Sequence, residues 1–73
     1  MPKKDDYEAL ASRMLKAEIK RAGFTYALLT ERLNEIGVEE KEVNIRNKLA
    51  RGKFSFAFVL KCCEVMEVST LNL

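Results

Sequence analysis

Three glycines divide this chain of 73 residues into four segments, and each segment carries apolar residues at helical spacing. Glycine is enriched just after the last residue of a helix, and apolar residues three and four positions apart mark the buried side of one. The predicted helices span residues 6–22, 26–36, 40–51 and 56–67, ending near Gly23, Gly37, Gly52 and Glu67. No segment has the alternating pattern of a strand. The sequence therefore predicts an all-α, compact four-helix domain over residues 1–73.

The apolar positions of the first three predicted helices define a candidate core. On the first helix they share one stripe with a glutamate, and on the next two they repeat on one side. The predicted core positions are Tyr7, Leu10, Ala11, Met14, Leu15, Glu18, Ile19, Ala22, Leu29, Leu33, Ile36, Ile45 and Leu49. Thr25 and Ser55 stand where an N-cap side chain would satisfy the first free amide groups of the second and fourth helices.

Composition limits the class of protein. Hydrophobic residues make up 48% of the chain and the net charge is only +2, which is typical of a folded domain rather than a disordered polycation. No apolar run approaches the roughly 18 residues that span a bilayer, and the first six residues are not followed by the apolar core of a signal peptide. We therefore expect a cytoplasmic protein that does not enter the membrane.

The chemistry available to the side chains argues against an enzyme. The chain has no histidine, so serine–histidine and cysteine–histidine catalytic pairs are impossible. Its two cysteines, Cys62 and Cys63, are adjacent, which rules out an ordinary disulfide between them and leaves too few ligands for a zinc site. The glycines form no phosphate-binding loop. We expect no catalytic residues, no metal, no cofactor and no small-molecule ligand.

Positive charge is concentrated in the third predicted helix and the turn that follows it. Residues 44–53 contain four cations and two asparagines but no acid. With Ile45 and Leu49 facing the core, the outer stripe includes Asn44, Asn47 and Arg51. Asparagine pairs with adenine and arginine with guanine, and a neighbouring valine can touch a thymine methyl.

This pattern predicts a helix that reads DNA bases in the major groove. The candidate base contacts are Asn44, Asn47, Arg51 and Val43. Cations beside the stripe would meet phosphates, and they are Arg46, Lys48 and Lys53. The alternative is that these residues only solvate an exposed helix, since many helices carry such a face.

Two stretches resemble the lambda-repressor-like helix-turn-helix domains of phage repressors, of the Cro and CI type, and of many small bacterial regulators. They are "GFTYALLTERLNEIGV" and "NKLARGKFSFAFVLKCCEVMEV". The second resembles a group of short uncharacterised bacterial domains of this superfamily, through Asn47, Lys48, Arg51, Gly52, Phe54 and Phe58. The resemblance implies a DNA-binding regulator with phosphate contacts at Thr25 and Tyr26. The span from Thr25 to Gly52 exceeds the usual motif by about one helical turn, in the second helix or the connection after it.

The fourth predicted helix has more apolar surface than one core can use. Polar residues fill about a third of its circumference. Phe56, Leu60 and Cys63 suit the core. The residues that would then face outward, with two from the tail, are Phe58, Cys62, Val65, Leu71 and Leu73. This arrangement predicts a homodimer contact; the alternative is that the helix is central and buried on both sides.

The function expected from the sequence is sequence-specific binding of double-stranded DNA by a homodimeric transcriptional regulator. Two recognition helices about 34 Å apart would meet successive major grooves on one face of the duplex. The alternative is a protein-interaction module that keeps the same fold. Such a module would bind another regulatory protein, or a second copy of itself, through the apolar patch.

Overall fold

The chain forms four α-helices in a computed structural model that describes residues 4–68. No strand occurs within that range. The helices are α1 (Lys4–Arg21), α2 (Tyr26–Glu35), α3 (Glu42–Arg51) and α4 (Phe56–Met66). Their bounds differ from the predicted ones by at most two residues. The Cα radius of gyration is 11.9 Å, close to the value of about 11 Å expected for a compact chain of this length. The all-helical, compact four-helix prediction is confirmed.

Local side chains and one glycine fix the helix ends. The hydroxyl of Thr25 accepts a hydrogen bond from the amide of Leu28 at 3.1 Å, and Ser55 caps α4 in the same way through Phe58 at 3.1 Å. Gly52 ends α3 in the left-handed region, with φ of 67°. A Cβ atom at this position would collide with the backbone carbonyl of Glu8 in α1. Glycine is therefore required at residue 52 both for its backbone conformation and for the close approach of α1.

The core lies where α2 packs against α3 and α4, while α1 packs against α3. Leu29, Leu33, Ile45 and Leu49 are fully buried, as their spacing predicts. The core residues that share this cluster are Leu15, Ile19, Leu29, Leu33, Ile45, Leu49, Phe58, Cys62 and Met66. The buried hydroxyl of Ser12 donates to the carbonyl oxygen of Leu49, so α1 and α3 are joined by a polar contact as well as by packing.

The predicted orientation of α4 is wrong, although Cys63 is buried as expected. Phe58 is 6% exposed and Cys62 is fully buried, and Val65 is half-buried against the core. Phe56 and Leu60, which were expected inside, are 64% and 54% exposed. The physical reason is the packing of α4 on α2, which selects the side carrying Phe58 and Cys62 from a helix that is apolar on several sides.

The outward patch expected from the sequence is therefore part of the core. Its two tail members, Leu71 and Leu73, lie outside the described residues.

Three other predicted core residues are exposed. Tyr7 and Leu10 are 54% and 43% exposed. This part of α1 meets the end of α3 through Glu8, whose backbone carbonyl lies against Gly52, and the side chains of Tyr7 and Leu10 stay largely in solvent. Ile36 is 47% exposed. It follows the last residue of α2, and Val38 packs against the core instead.

The connection between α2 and α3 contains the additional residues noted in the sequence. It spans residues 36–41, whereas a helix-turn-helix is usually joined by a turn of about three or four residues. The amide of Val38 donates to the carbonyl of Leu33 at 2.9 Å, and the side-chain oxygen of Asn34 accepts from the amide of Glu40 at 3.1 Å. The connection is thus held at both ends, which fixes the start of α3 relative to α2.

Candidate nucleic-acid interface

The outer face of α3 carries mainly polar side chains, opposite a fully buried side. Ile45 and Leu49 anchor the helix in the core, and this leaves Asn44, Asn47 and Arg51 exposed. Val43 is also 57% exposed. All four residues predicted to contact bases are therefore accessible in the structure. Their accessibility follows directly from the burial of the two apolar residues four positions apart.

Five side chains surround one shallow open depression of about 280 Å³ beside α3. They are Asn44, Asn47, Lys48, Arg51 and Lys53. Asn44, Asn47, Arg51 and Lys53 make no side-chain hydrogen bond or ion pair with another described residue. Amide groups can donate and accept two hydrogen bonds in one plane, and a guanidinium donates two in parallel. The depression thus presents free amide and cationic groups, the set that recognises base edges and phosphates.

Lys48 differs from the other members because an acid and an aromatic ring hold it. Its ammonium group lies 3.0 and 3.1 Å from the two carboxylate oxygens of Glu40. It also lies 4.7 Å from the centroid of the Phe58 ring, a cation–π distance. Lys48 was expected to contact phosphate, and its charge is here balanced by a glutamate of the α2–α3 connection. Sequence spacing gave no signal for this pair, since the two residues are eight positions apart.

A second basic depression, of about 480 Å³, lies between α1 and the start of α2. It contains three residues predicted to contact phosphate, namely Thr25, Tyr26 and Arg46, and its other lining residues are Lys16, Ile19, Lys20 and Phe24. The sequence reasoning did not include Lys16 and Lys20. They are four positions apart on α1, a spacing that places them on one side of the helix, but only the packing of α1 on α3 brings them near Arg46.

Arg46 is positioned by two neighbours on different elements. Its guanidinium donates toward the Glu42 carboxylate at 2.6 Å, an ion pair one helical turn apart, and lies 5.6 Å from the ring centroid of Tyr26. The side chain of Arg46 is 61% exposed. Two partners therefore restrict its orientation while the remaining guanidinium N–H groups stay accessible to a ligand.

An acidic depression of about 590 Å³ lies between α2 and α3. Its lining residues are Ala27, Thr30, Glu31, Asn34, Glu35 and Glu42. Of its three carboxylates, only that of Glu42 takes part in an ion pair with another described residue, Arg46. The surface around α3 is thus divided into two basic regions and one acidic region. A polyanion would be attracted by the first two and repelled by the third.

Other kinds of site are not apparent in the described part of the chain. Among these residues no three cysteine, aspartate or glutamate side chains are grouped so that they could hold a metal ion. None of the helices within residues 4–68 is long and apolar enough to cross a membrane. Burial raises the pKa of the Cys62 thiol from its ordinary 9.0 to about 12, with a smaller contribution from Cys63. The thiol is therefore protonated, and hence unreactive, at neutral pH.

Comparison with known proteins assigns the chain to a family without giving it an activity. No curated protein and no solved structure matches the chain significantly. One family model, described as "Domain of unknown function (DUF6471)", matches residues 7–71. This match covers α2, α3 and α4 and all of α1 except its first three residues. The chain therefore belongs to the DUF6471 family.

Proposed function

We propose that this domain is a sequence-specific DNA-binding transcriptional regulator that places α3 in the major groove. The single observation that carries the proposal is the depression lined by Asn44, Asn47, Arg51 and two lysines. Its amide and guanidinium groups have no partner among the described residues, yet they are adjacent and accessible. Such groups are suited to base edges, which offer paired donors and acceptors in the major groove.

The dimensions of α3 agree with this role. Ten residues make a helix about 15 Å long, and a major groove about 12 Å wide admits one α-helix. The burial of Ile45 and Leu49 fixes which side of α3 faces away from the domain. A helix bound in the groove would read the bases through Asn47, at the centre of that outer side, and through Asn44 and Arg51 beside it.

The lambda-repressor-like arrangement is part of the proposal. It is supported by the order of elements, in which the capped α2 precedes the basic α3 and the capped α4 follows a glycine turn. The connection at residues 36–41 is longer than the usual helix-turn-helix turn. We expect this connection to alter the angle at which α3 enters the groove, and not to prevent its entry, because it leaves the outer face of α3 uncovered.

Selection of binding sites from random duplex DNA tests the proposal. The affinity of alanine variants for the selected site is then measured. Asn47→Ala and Arg51→Ala should each cost about 1–3 kcal/mol of binding free energy and relax the preference at one or two base pairs. Arg32→Ala is the matched control, because Arg32 is exposed on α2 and lines neither basic depression. Equal losses on selected and random DNA would contradict base reading and reduce these residues to phosphate contacts.

A second candidate is a protein-interaction module that binds a second copy of itself. The observation favouring it is the exposure of Phe56 and Leu60, one turn apart on the same side of α4. In a two-fold dimer these residues would meet their own copies. Phe56→Glu should then convert a dimer to a folded monomer in sedimentation experiments, because the new carboxylate is solvated in the monomer. A parent protein that is monomeric at tens of micromolar would exclude this candidate.

Salt dependence separates the two candidates. Binding that neutralises phosphates weakens with a slope of about −0.9 per phosphate in log K against log salt concentration. An apolar contact between proteins should respond weakly. A homodimer that also binds DNA would show both behaviours in separate assays, which is the arrangement expected from the sequence.

A further inference from the structure

We propose that α1 supplies a second phosphate-binding site, in which Lys16 and Lys20 join Arg46 to hold the DNA backbone on the far side of the groove from Lys53. The inference rests on the proposed function and extends it to a helix outside the helix-turn-helix. The observation behind it is the second basic depression, whose lining includes three cations and no acid. The ligand class is the phosphodiester group.

The two lysines are available for a ligand. Both are exposed, and neither takes part in the described ion pairs, which join Arg21 to Glu18, Arg46 to Glu42 and Lys48 to Glu40. Ile19, between the two lysines, is buried in the core and fixes the rotation of α1 at this point. Their positions are thus set by the fold, although the side chains are long.

Arg46 and the first turn of α2 complete the site. Arg46 is oriented by Glu42 and by the ring of Tyr26. Thr25 caps the amide of Leu28, which leaves the amide groups of Tyr26 and Ala27 without an acceptor inside the helix. These groups add donors to a site already made by the cations. A phosphate oxygen would be attracted by the cations of α1 and α3 and by the positive end of the α2 helix dipole.

The position of this depression relative to the first indicates a backbone strand as the ligand. At about 100° per residue, Arg46 and Lys48 project from α3 about 200° apart measured around its outer side, with Asn47 midway between them. The second depression, which contains Arg46, and the lysines at the edge of the first depression therefore lie on opposite sides of the proposed reading face. A helix in the major groove has one phosphate strand on each side, so two flanking cationic sites match that geometry. A small anion would fill only one of the two depressions and would leave the other unexplained.

The test compares two double variants that each lose two positive charges. One is Lys16→Ala with Lys20→Ala, and the control is Arg32→Ala with Lys61→Ala, whose residues are exposed and line neither basic depression. Affinity for a random-sequence duplex is measured over a range of salt concentrations. The first variant should reduce the steepness of log K against log salt by about 0.9 for each lysine. The control should leave that slope nearly unchanged.

Selected DNA and inorganic phosphate separate the possible outcomes. The lysine variant should lose affinity equally for selected and random DNA, and keep the parent's base preference. Equal slopes for the two double variants would overturn the second site and leave the base-reading face standing. A parent without salt-dependent DNA binding would overturn both proposals. Inorganic phosphate can also be titrated while the NMR chemical shifts of the Tyr26 and Ala27 amides are followed. If millimolar phosphate saturates these shifts and duplex DNA does not displace it, the site binds small anions, and the assignment to the DNA backbone is overturned.

Discussion

Helices α3 and α4 are nearly equal in length, with 10 and 11 residues, but they contribute to the domain in different ways. α3 buries two residues and presents polar groups elsewhere, whereas α4 buries four and still exposes Phe56 and Leu60. α3 is therefore an amphipathic helix with one possible orientation. α4 could pack in several orientations, and its contacts with α2 select one.

The difference shows how a small domain separates stability from surface chemistry. α4 supplies Phe58, Cys62 and Met66 to the core. With that apolar area provided elsewhere, α3 needs only Ile45 and Leu49 for anchoring and can present amide and cationic groups outward. The following variants test this division in order of decreasing expected effect.

The largest effect should come from a matched pair of phenylalanines on α4. Phe58→Ala should lower the free energy of unfolding by about 3–5 kcal/mol, because it leaves a cavity in the core. Phe56→Ala should change it by no more than about 0.5 kcal/mol, since its ring is mostly in solvent. Urea denaturation measures both. Similar losses for the two variants would mean that α4 is not oriented by its packing on α2.

A second pair makes the same chemical change on the two helices. Leu49→Ala in α3 should cost about 2–5 kcal/mol of unfolding free energy, because Leu49 is fully buried. Leu60→Ala in α4 should be close to neutral, and it raises helix propensity slightly. If Leu60→Ala proved as costly, a second copy of the chain would have to cover that residue at the concentration used. Repeating the measurement at lower concentration distinguishes this case.

Substitutions at the C-terminal ends of α3 and α4 should change the free energy of unfolding in opposite directions. α3 ends at Gly52 and α4 at Glu67, and both have left-handed backbones, with φ of 67° and 58°. Gly52→Ala should destabilise by at least about 1–2 kcal/mol from the backbone alone, and the approach of Glu8 adds to this. Glu67→Gly should stabilise by up to about 1 kcal/mol, because glycine adopts this conformation without strain. Loss of stability in Glu67→Gly would show that the glutamate side chain contributes more than the backbone strain costs.

An effect that is absent at neutral pH, and therefore comes last, belongs to α4 alone. Burial raises the pKa of the Cys62 thiol to about 12, so the unfolded chain releases this proton at lower pH than the folded one. The unfolded state then binds fewer protons, and stability should fall as pH rises from about 9 toward 12. The stability difference between the parent and Cys62→Ala should shrink over that range. A constant difference would mean that the thiol titrates alike in both states.

The sequence was sufficient to orient α3 but not α4, for a physical reason. On α3 polar residues occupy the outward positions except those of Val43 and Ala50, so the burial of Leu49 and the exposure of Asn47 follow from the spacing. On α4 the polar residues Lys61, Glu64 and Glu67 mark only part of the exposed side. Leu60 lies within that arc and Phe56 at its edge, but their apolar side chains favour burial, and periodicity alone cannot distinguish an exposed apolar residue from a buried one.

The helix bounds were predictable because caps and glycines are local signals. The members of the two basic depressions were predictable only in part. Residues 44–53 are contiguous, so the first depression could be inferred from one helix and its turn. The second combines Lys16 with Arg46, thirty positions later, and the pair of Lys48 with Glu40 depends on the path of the connection. Such proximities result from tertiary packing, which the spacing of residues does not encode.

The contact between Ser12 and Leu49 has a consequence for how the chain folds. It joins residues 37 positions apart, so α1 has its main partner only after most of the chain has been synthesised. A helix in a protein draws most of its stability from packing rather than from propensity, and closing the long loop between α1 and α3 costs conformational entropy before their contacts form. The segments from α2 to α4 can associate with shorter loops. We therefore expect them to form first and α1 to dock late, with its amides exchanging hydrogen faster than those of α2 whenever the docked helix detaches.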